Sequence, residues 1–193
     1  MNFKNLTIEN LKFDAENITI DKNDSYITAY PEFIQYFETN SPIKKHHLII
    51  GSHFIYGWMP TILTLKLDKI ENVLELLNEV KKGKILNIDE LESLKGCINN
   101  SMVGLSKLLH FINPEKYAIW DSRILNYCTN QASQYGIDKP QNYIAYLEKL
   151  HRLSKEKEFN DLYTEIKEHF DYPITAMRAI EIIMFETSKR KIK

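Results

Sequence analysis

The chain has 193 residues, 44 % of them hydrophobic and 26 % charged, with a formal net charge of −1. Those proportions exclude collagen, a wholly disordered chain and a large solenoid, and the length suits one domain or two small lobes sharing a core. A near-zero charge also excludes a globally basic nucleic-acid binder, so any nucleic-acid surface must be a local patch.

Residues 1–30 are polar, with apolar residues paired two apart: Leu6 and Ile8, Leu11 and Phe13, Ile18 and Ile20. That alternation predicts short strands or an extended arm. Asn23-Asp24-Ser25 reads as a turn. Pro31 opens a short helix, since proline suits a first helical turn. Ser41-Pro42 repeats the signal, and the helix it opens runs to Trp58 and stops before Pro60. Thr61 to Leu67 is a short strand or an extended link. Asp68 caps the next helix, whose Ile70, Val73, Leu74, Leu77 and Val80 share one face. Gly83, among Lys81, Lys82 and Lys84, stops it. Asn87 caps the helix that follows, with Asp89 and Glu90 in its first turn.

Ser101 or Asn100 starts an apolar helix that ends near Asn113-Pro114. Asp121 opens another, expected to run to about Gln134 before Gly136 breaks it. Asp138 caps and Pro140 opens the next. Glu158 to Phe170 is amphipathic. Pro173 breaks the chain ahead of a last helix with Ile174, Met177, Ile180, Ile183 and Met184 apolar, and residues 189–193 form a basic tail. The expected fold is mainly α, an irregular bundle of about 8–10 helices with a short extended or β N-terminal segment. Residues 1–193 form a single domain, or two helical lobes, about 1–95 and 96–193, with a cleft between them.

Cys97 and Cys128 have no paired spacing, which indicates neither a disulfide framework nor a zinc site. His46 and His53 share a helix face but are seven apart, and no nearby Cys or Glu completes a ligand set, so no metal is expected. No Walker lysine loop, nucleophile elbow or dinucleotide fingerprint is present, and no cofactor is expected. The first residues lack a charged-then-apolar leader, and no apolar run approaches the ~20 residues that span a bilayer. A cytoplasmic protein without a membrane partner is the expectation.

One stretch, Ser101 to Asn126, gathers a lysine, a histidine, aromatics and an acid around two helix junctions. Asp121 directly follows the apolar run Tyr117-Ala118-Ile119-Trp120. A helix N-cap sets a carboxylate beside free backbone N–H groups. Taken alone, Asp121 is either a cap or a reactive acid. Lys107 is either a solvated lysine or a nucleophile. Tyr117 and Trp120 are either core or a stacking surface, and so is Trp58 in Gly57-Trp58-Met59. His110, three residues after Lys107 on the same face, is either a hydrogen-bonded structural residue or an acid–base group at the substrate.

The order G-x-x-K, an apolar helix, then Lys116-Tyr117-Ala118-Ile119-Trp120-Asp121-Ser122-Arg123-Ile124 resembles the helix–hairpin–helix DNA glycosylases. In that superfamily a segment of the form h-F-P-I-h-D-x-x-V delivers an aspartate to the active site. The family hairpin, L-P-G-h-G, corresponds here to Ile98-Asn99-Asn100-Ser101-Met102-Val103-Gly104, with a single glycine. The resemblance implies excision of a damaged or modified base flipped from DNA into a cleft, with or without lyase activity. It makes Asp121 the catalytic acid and Lys107 either a Schiff-base nucleophile or a phosphate contact. Trp120, Tyr117 and Trp58 become base-stacking candidates, with His110 beside them. Arg123, Ser122, Lys44, Lys45 and the basic tail become phosphate contacts. Two further expectations stand beside it: a non-catalytic nucleic-acid- or protein-binding module on the same fold, and a helical small-molecule protein with an aromatic pocket near Trp58 and Trp120. Nothing in the sequence fixes the oligomeric state.

Overall fold

The computed structural model describes residues 1, 3–59, 61–130 and 133–191. Among them the chain forms ten helices: α1 (Ile8–Ala15), α2 (Ser25–Thr39), α3 (Lys45–Gly57), α4 (Ile70–Lys81), α5 (Ile88–Cys97), α6 (Met102–Ile112), α7 (Ser122–Thr129), α8 (Pro140–Leu153), α9 (Phe159–Lys167) and α10 (Ala176–Lys191). The only β pairing among the described residues is a single antiparallel bridge between Leu65 and Ile98. The protein is mainly α-helical, and no described helix is long and apolar enough to cross a membrane.

Several boundaries follow from local chemistry. Asn87 accepts from the Glu90 N–H while Glu90 accepts from the Asn87 N–H, a reciprocal cap that starts α5. α4 closes at Gly83, whose φ of 102° needs a residue without Cβ. There Gly83 N–H donates to Val80 O at 2.9 Å and Lys84 N–H to Glu79 O at 3.0 Å, a paired stop that satisfies the last carbonyls.

Other boundaries differ from expectation. Residues 8–15 are helical, not extended. Ile8, Leu11 and Ala15 are buried at helical spacing while Phe13 stays 69 % exposed, and Thr7 caps the helix. Pro31 lies inside α2; the helix starts earlier, at Ser25, capped by Asp24. The cap of α4 is Lys69, not Asp68. α7 ends at Thr129 rather than near Gln134, because Asn130 turns left-handed at φ 55°. Asp138 does not cap α8; its carboxylate reaches across to accept the Met102 N–H of α6 at 3.0 Å. Pro60, expected to stop α3, lies outside the described residues.

Two helices organise the packing. α6 contacts α2, α3, α4 and α5, whereas α10 contacts α7, α1, α9 and α8; α5 and α8 also touch. Gly104 of α6 lies so close to the Tyr56 ring of α3 that a Cβ would collide with it, which sets how near these helices approach. One hydrophobic cluster runs through both groups, from Phe3 to Met184.

Candidate functional site

Between α6 and α7 the chain crosses the core outside any helix, from Tyr117 to Trp120. Buried carbonyls without donors are costly, about 1–3 kcal/mol each. Here five consecutive carbonyls are met by side chains. His151 Nε2 donates to Lys116 O at 2.9 Å, and His110 Nδ1 donates to Tyr117 O at 2.7 Å. The Tyr143 hydroxyl donates to Ala118 O at 2.9 Å and the Tyr146 hydroxyl to Ile119 O at 3.1 Å. The Ser106 hydroxyl accepts the Trp120 N–H at 3.0 Å and shares its proton between Val103 O at 2.9 Å and Trp120 O at 3.1 Å. The run is thus fixed by α6 on one side and α8 on the other.

This scaffold presents Asp121 at the start of α7. One carboxylate oxygen, Oδ1, accepts from the N–H groups of Arg123 at 2.9 Å and Ile124 at 3.0 Å. The other makes no hydrogen bond among the described residues, and the side chain is half-buried. Lys107 comes from α6, between Ser106 and His110. It is 8 % exposed, yet its amine makes no hydrogen bond or close ion pair among the described residues. Burial pushes the Lys107 amine down from the ordinary lysine range; Asp121 and Glu181 push it back up, and Arg123 and Arg178 add to the lowering. Charges on α7 and α10 therefore act on the one lysine of α6.

α10 supplies two of them. Arg178 and Glu181, one turn apart and both buried, form an ion pair. The Arg178 guanidinium also lies 4.5 Å over the Tyr30 ring. Burial pushes the Glu181 carboxyl up; Arg178 opposes this and Asp121 adds to it. Arg123 ties α7 to α10: its guanidinium lies 4.7 Å over the Phe185 ring, and Ser188 donates to its carbonyl at 3.0 Å. An amine that loses its proton readily is a nucleophile, and a carboxylate beside it stabilises positive charge. Among the described residues no three His, Cys, Asp or Glu side chains gather to hold a metal.

Asp121 and Arg123 are both charges that act on Lys107, and Ser122 is exposed between them in sequence. The aromatic candidates require correction. Trp120 is fully buried, its Nε1–H donates to Ile137 O at 2.9 Å, and its ring packs on Phe3 and Tyr146. The Tyr117 hydroxyl donates to Lys84 O at 2.8 Å and accepts the Leu86 N–H at 3.0 Å. His110 is fully buried; because Tyr117 O can only accept, its proton is on Nδ1, and Nε2 accepts from the Tyr30 hydroxyl at 2.7 Å. Burial pushes the His110 pKa down to about 3. All three are spent on holding the run, so none offers a free face to a base. Trp58 is half-buried at another place on the same core, against Phe33, Phe111 and Tyr26. The two tryptophans do not share a pocket.

Lys44 and Lys45 are exposed where α3 begins, in the group of helices around α6. In the basic tail, Lys189 pairs with Asp24 and Glu186, and Arg190 donates to Asn17 O, so these two are docked on the protein. Lys193 lies outside the described residues. Sequence reasoning missed Arg178 and Glu181. Their signal was available: two opposite charges three apart inside the otherwise apolar ITAMRAIEIIMF.

The turn between α5 and α6 places Asn99 and Asn100 in succession at φ 51°. Asparagine tolerates that left-handed conformation better than other residues with side chains. The N–H groups at the start of α6 are already taken: Met102 by Asp138 and Gly104 by Ser101 Oγ at 3.3 Å. Comparison of the chain with models of protein families, with curated proteins and with solved structures finds no match.

Proposed function

We propose that the chain is a glycosylase-like DNA-processing protein of the helix–hairpin–helix type, with Asp121 and Lys107 at its reacting centre. The observation that carries this reading is the nearly buried, unpaired Lys107 amine in the field of Asp121. It is supported by the succession of α5, a left-handed Asn99-Asn100 turn, α6, and a further helix opened by Asp121.

In the reaction, the bond between the sugar C1′ and the base nitrogen breaks, and its electrons leave with the base, which takes a proton from solvent. The Asp121 carboxylate stabilises the positive charge left on the sugar. Water then adds at C1′ and gives up a proton. In the lyase form the neutral Lys107 amine adds instead and loses a proton; its lone pair then expels the ring oxygen, which takes up a proton to become a hydroxyl and leaves an iminium. Arg123 and Ser122 would meet the flanking phosphates.

Incubating the protein with DNA carrying a panel of damaged and modified bases, and detecting free base by mass spectrometry, tests this reading. Release that Asp121→Asn abolishes is the expected result. A borohydride trap with wild type and Lys107→Met separates the hydrolytic from the lyase form. Absence of release from every substrate would overturn the proposal.

A second reading, a non-catalytic nucleic-acid-binding module on the same fold, has one specific observation in its favour. The Asp138 carboxylate sits on the Met102 N–H, at the turn where a phosphate would otherwise be received. Its expected signature is DNA binding that weakens steeply with salt, without base release.

A further inference from the structure

The outer side of α3 has no part in the chemistry just described, and it is unlike an ordinary solvent-facing helix. From Lys45 to Gly57 it carries no acidic residue. Its exposed positions His46, Ile50, His53, Phe54 and Gly57 recur at helical spacing and form one stripe of imidazoles and large apolar groups. Beside the stripe, five rings of α2 and α3 follow one another in contact. Tyr36 meets Phe54 with centroids 5.2 Å apart, and Phe54 stacks on Phe33 at 5.4 Å and 15°. Phe33 meets Trp58 at 5.0 Å, and Trp58 meets Tyr26 at 5.3 Å. Phe111 of α6 backs Phe33 and Trp58 from the core, 5.2 Å from each. That packing explains the middle of the row. It does not explain why Phe54 and Tyr26 stay 38 % and 42 % exposed. At the Tyr36 end the row reaches basic residues. The Tyr36 ring lies 6.3 Å from that of His47, whose Nδ1 accepts the Lys44 N–H at 3.1 Å. Lys44 and Lys45 are exposed there, and neither is in an ion pair among the described residues.

We propose that this face of α2 and α3 is a binding site for single-stranded DNA, with bases stacking along Phe54, Trp58 and Tyr26 and phosphates held by Lys44 and Lys45. A row of rings beside cations suits a single strand, because every base offers a π-face to an aromatic side chain and every phosphate seeks positive charge. A duplex keeps its bases stacked on one another and can use only the lysines. Charge complementarity favours this occupant over a second copy of the chain. An α3–α3 contact would bury lysines and imidazoles with no acid on either α3 to meet them. The acids of α2 are Glu32 and Glu38. Glu38 has Lys81 beside it, the amine donating to Glu38 O at 3.3 Å. Only the choice of DNA over RNA rests on the glycosylase reading; the stacking and the charge stand without it.

The test is fluorescence anisotropy of the full chain with labelled strands of about 12 nucleotides. The strands are oligo-dT, a base-free strand of tetrahydrofuran units with the same charge, an oligo-dT duplex with oligo-dA, and oligo-U. Oligo-dT should bind roughly tenfold or more tighter than the base-free strand or the duplex. Phe54→Ala should remove most of that margin and leave binding of the base-free strand unchanged; Phe54→Leu serves if the alanine variant does not fold. Lys45→Ala should weaken oligo-dT and the base-free strand alike and lower the salt slope by about 0.7. Trp120 is fully buried, so quenching of tryptophan fluorescence by oligo-dT reports on Trp58 and should vanish in Trp58→Phe. Equal binding of oligo-dT and the base-free strand overturns the proposal, and so does tighter binding of the duplex or of oligo-U. A wild-type dimer that Phe54→Ala turns into a monomer overturns it too, by giving the face to a second copy. The strands carry no damaged base, so the two ideas fail separately. Base-dependent binding without base release from damaged DNA removes the glycosylase reading alone, and base release with equal binding removes this one alone.

Discussion

α6 carries three buried polar side chains, Ser106, Lys107 and His110, and treats them in opposite ways. Ser106 and His110 are each bonded on both sides, to the crossing run and to a second group. Lys107, between them in sequence, is bonded to nothing at close range. Pairing makes the first two part of the scaffold, because any movement would expose a donor or acceptor with no replacement. The unpaired amine has nothing to lose by meeting a ligand. Within one helix, then, two polar groups are bonded into the frame and the third is not.

The frame is broken most severely through acid. His110 is held neutral, with a pKa pushed by burial down to about 3 against 6.5 when free. The unfolded chain therefore takes up a proton as pH falls through 6.5, while the folded protein does not until about 3. The contribution of this residue is whole above the upper value and drains away below it, by about 1.4 kcal/mol per pH unit. Urea midpoints measured across that window should fall more steeply for wild type than for His110→Gln. Equal slopes would mean that His110 titrates normally and that the Tyr30–His110–Tyr117 chain is not formed. A smaller loss is expected from Ser106→Ala, which strands the buried Trp120 N–H: about 2 kcal/mol of stability in urea unfolding.

Much of the frame was legible because it is local. The Asn87 cap, the Gly83 stop and the starts of α6 and α7 at Ser101 and Asp121 are written in neighbouring residues. α1 was misread because Leu11 and Phe13, two apart, mimic a strand, although only Leu11 is buried. Asp138 was misread because its partner, Met102, is distant in sequence. The same reason divides the site. Lys107 and Asp121 stand on either side of one run and could be read together, whereas Arg178 and Glu181 reach them only through the packing of α10 on α7. Trp120, Tyr117 and His110 were legible as buried or functional but not as one rather than the other. The choice depends on Phe3, Tyr146, Lys84 and Tyr30, which no local pattern connects to them.

The unpaired side of the comparison is sharpened by Lys107→Met. Replacing this nearly buried side chain, whose amine has no bonded partner among the described residues, with an apolar chain of similar length should raise stability slightly, by about 1 kcal/mol. A loss of stability of the size seen for Ser106→Ala would place Lys107 with the frame instead.

The smallest effects belong to residues outside both groups. Lys44→Ala and Lys45→Ala remove exposed charges with no bonded partner to strand, so stability should stay within about 0.5 kcal/mol. If the start of α3 tracks the DNA backbone, each substitution weakens binding alike for all sequences and reduces the slope of log affinity against log salt by about 1. An unchanged slope would take α3 out of the DNA path. The positive charge available to guide DNA toward Asp121 would then have to come from α7 itself, where Arg123 is already half committed to the Phe185 ring. Duplex binding would in that case be weak, and a single-stranded or already opened substrate would suit the site better than intact duplex.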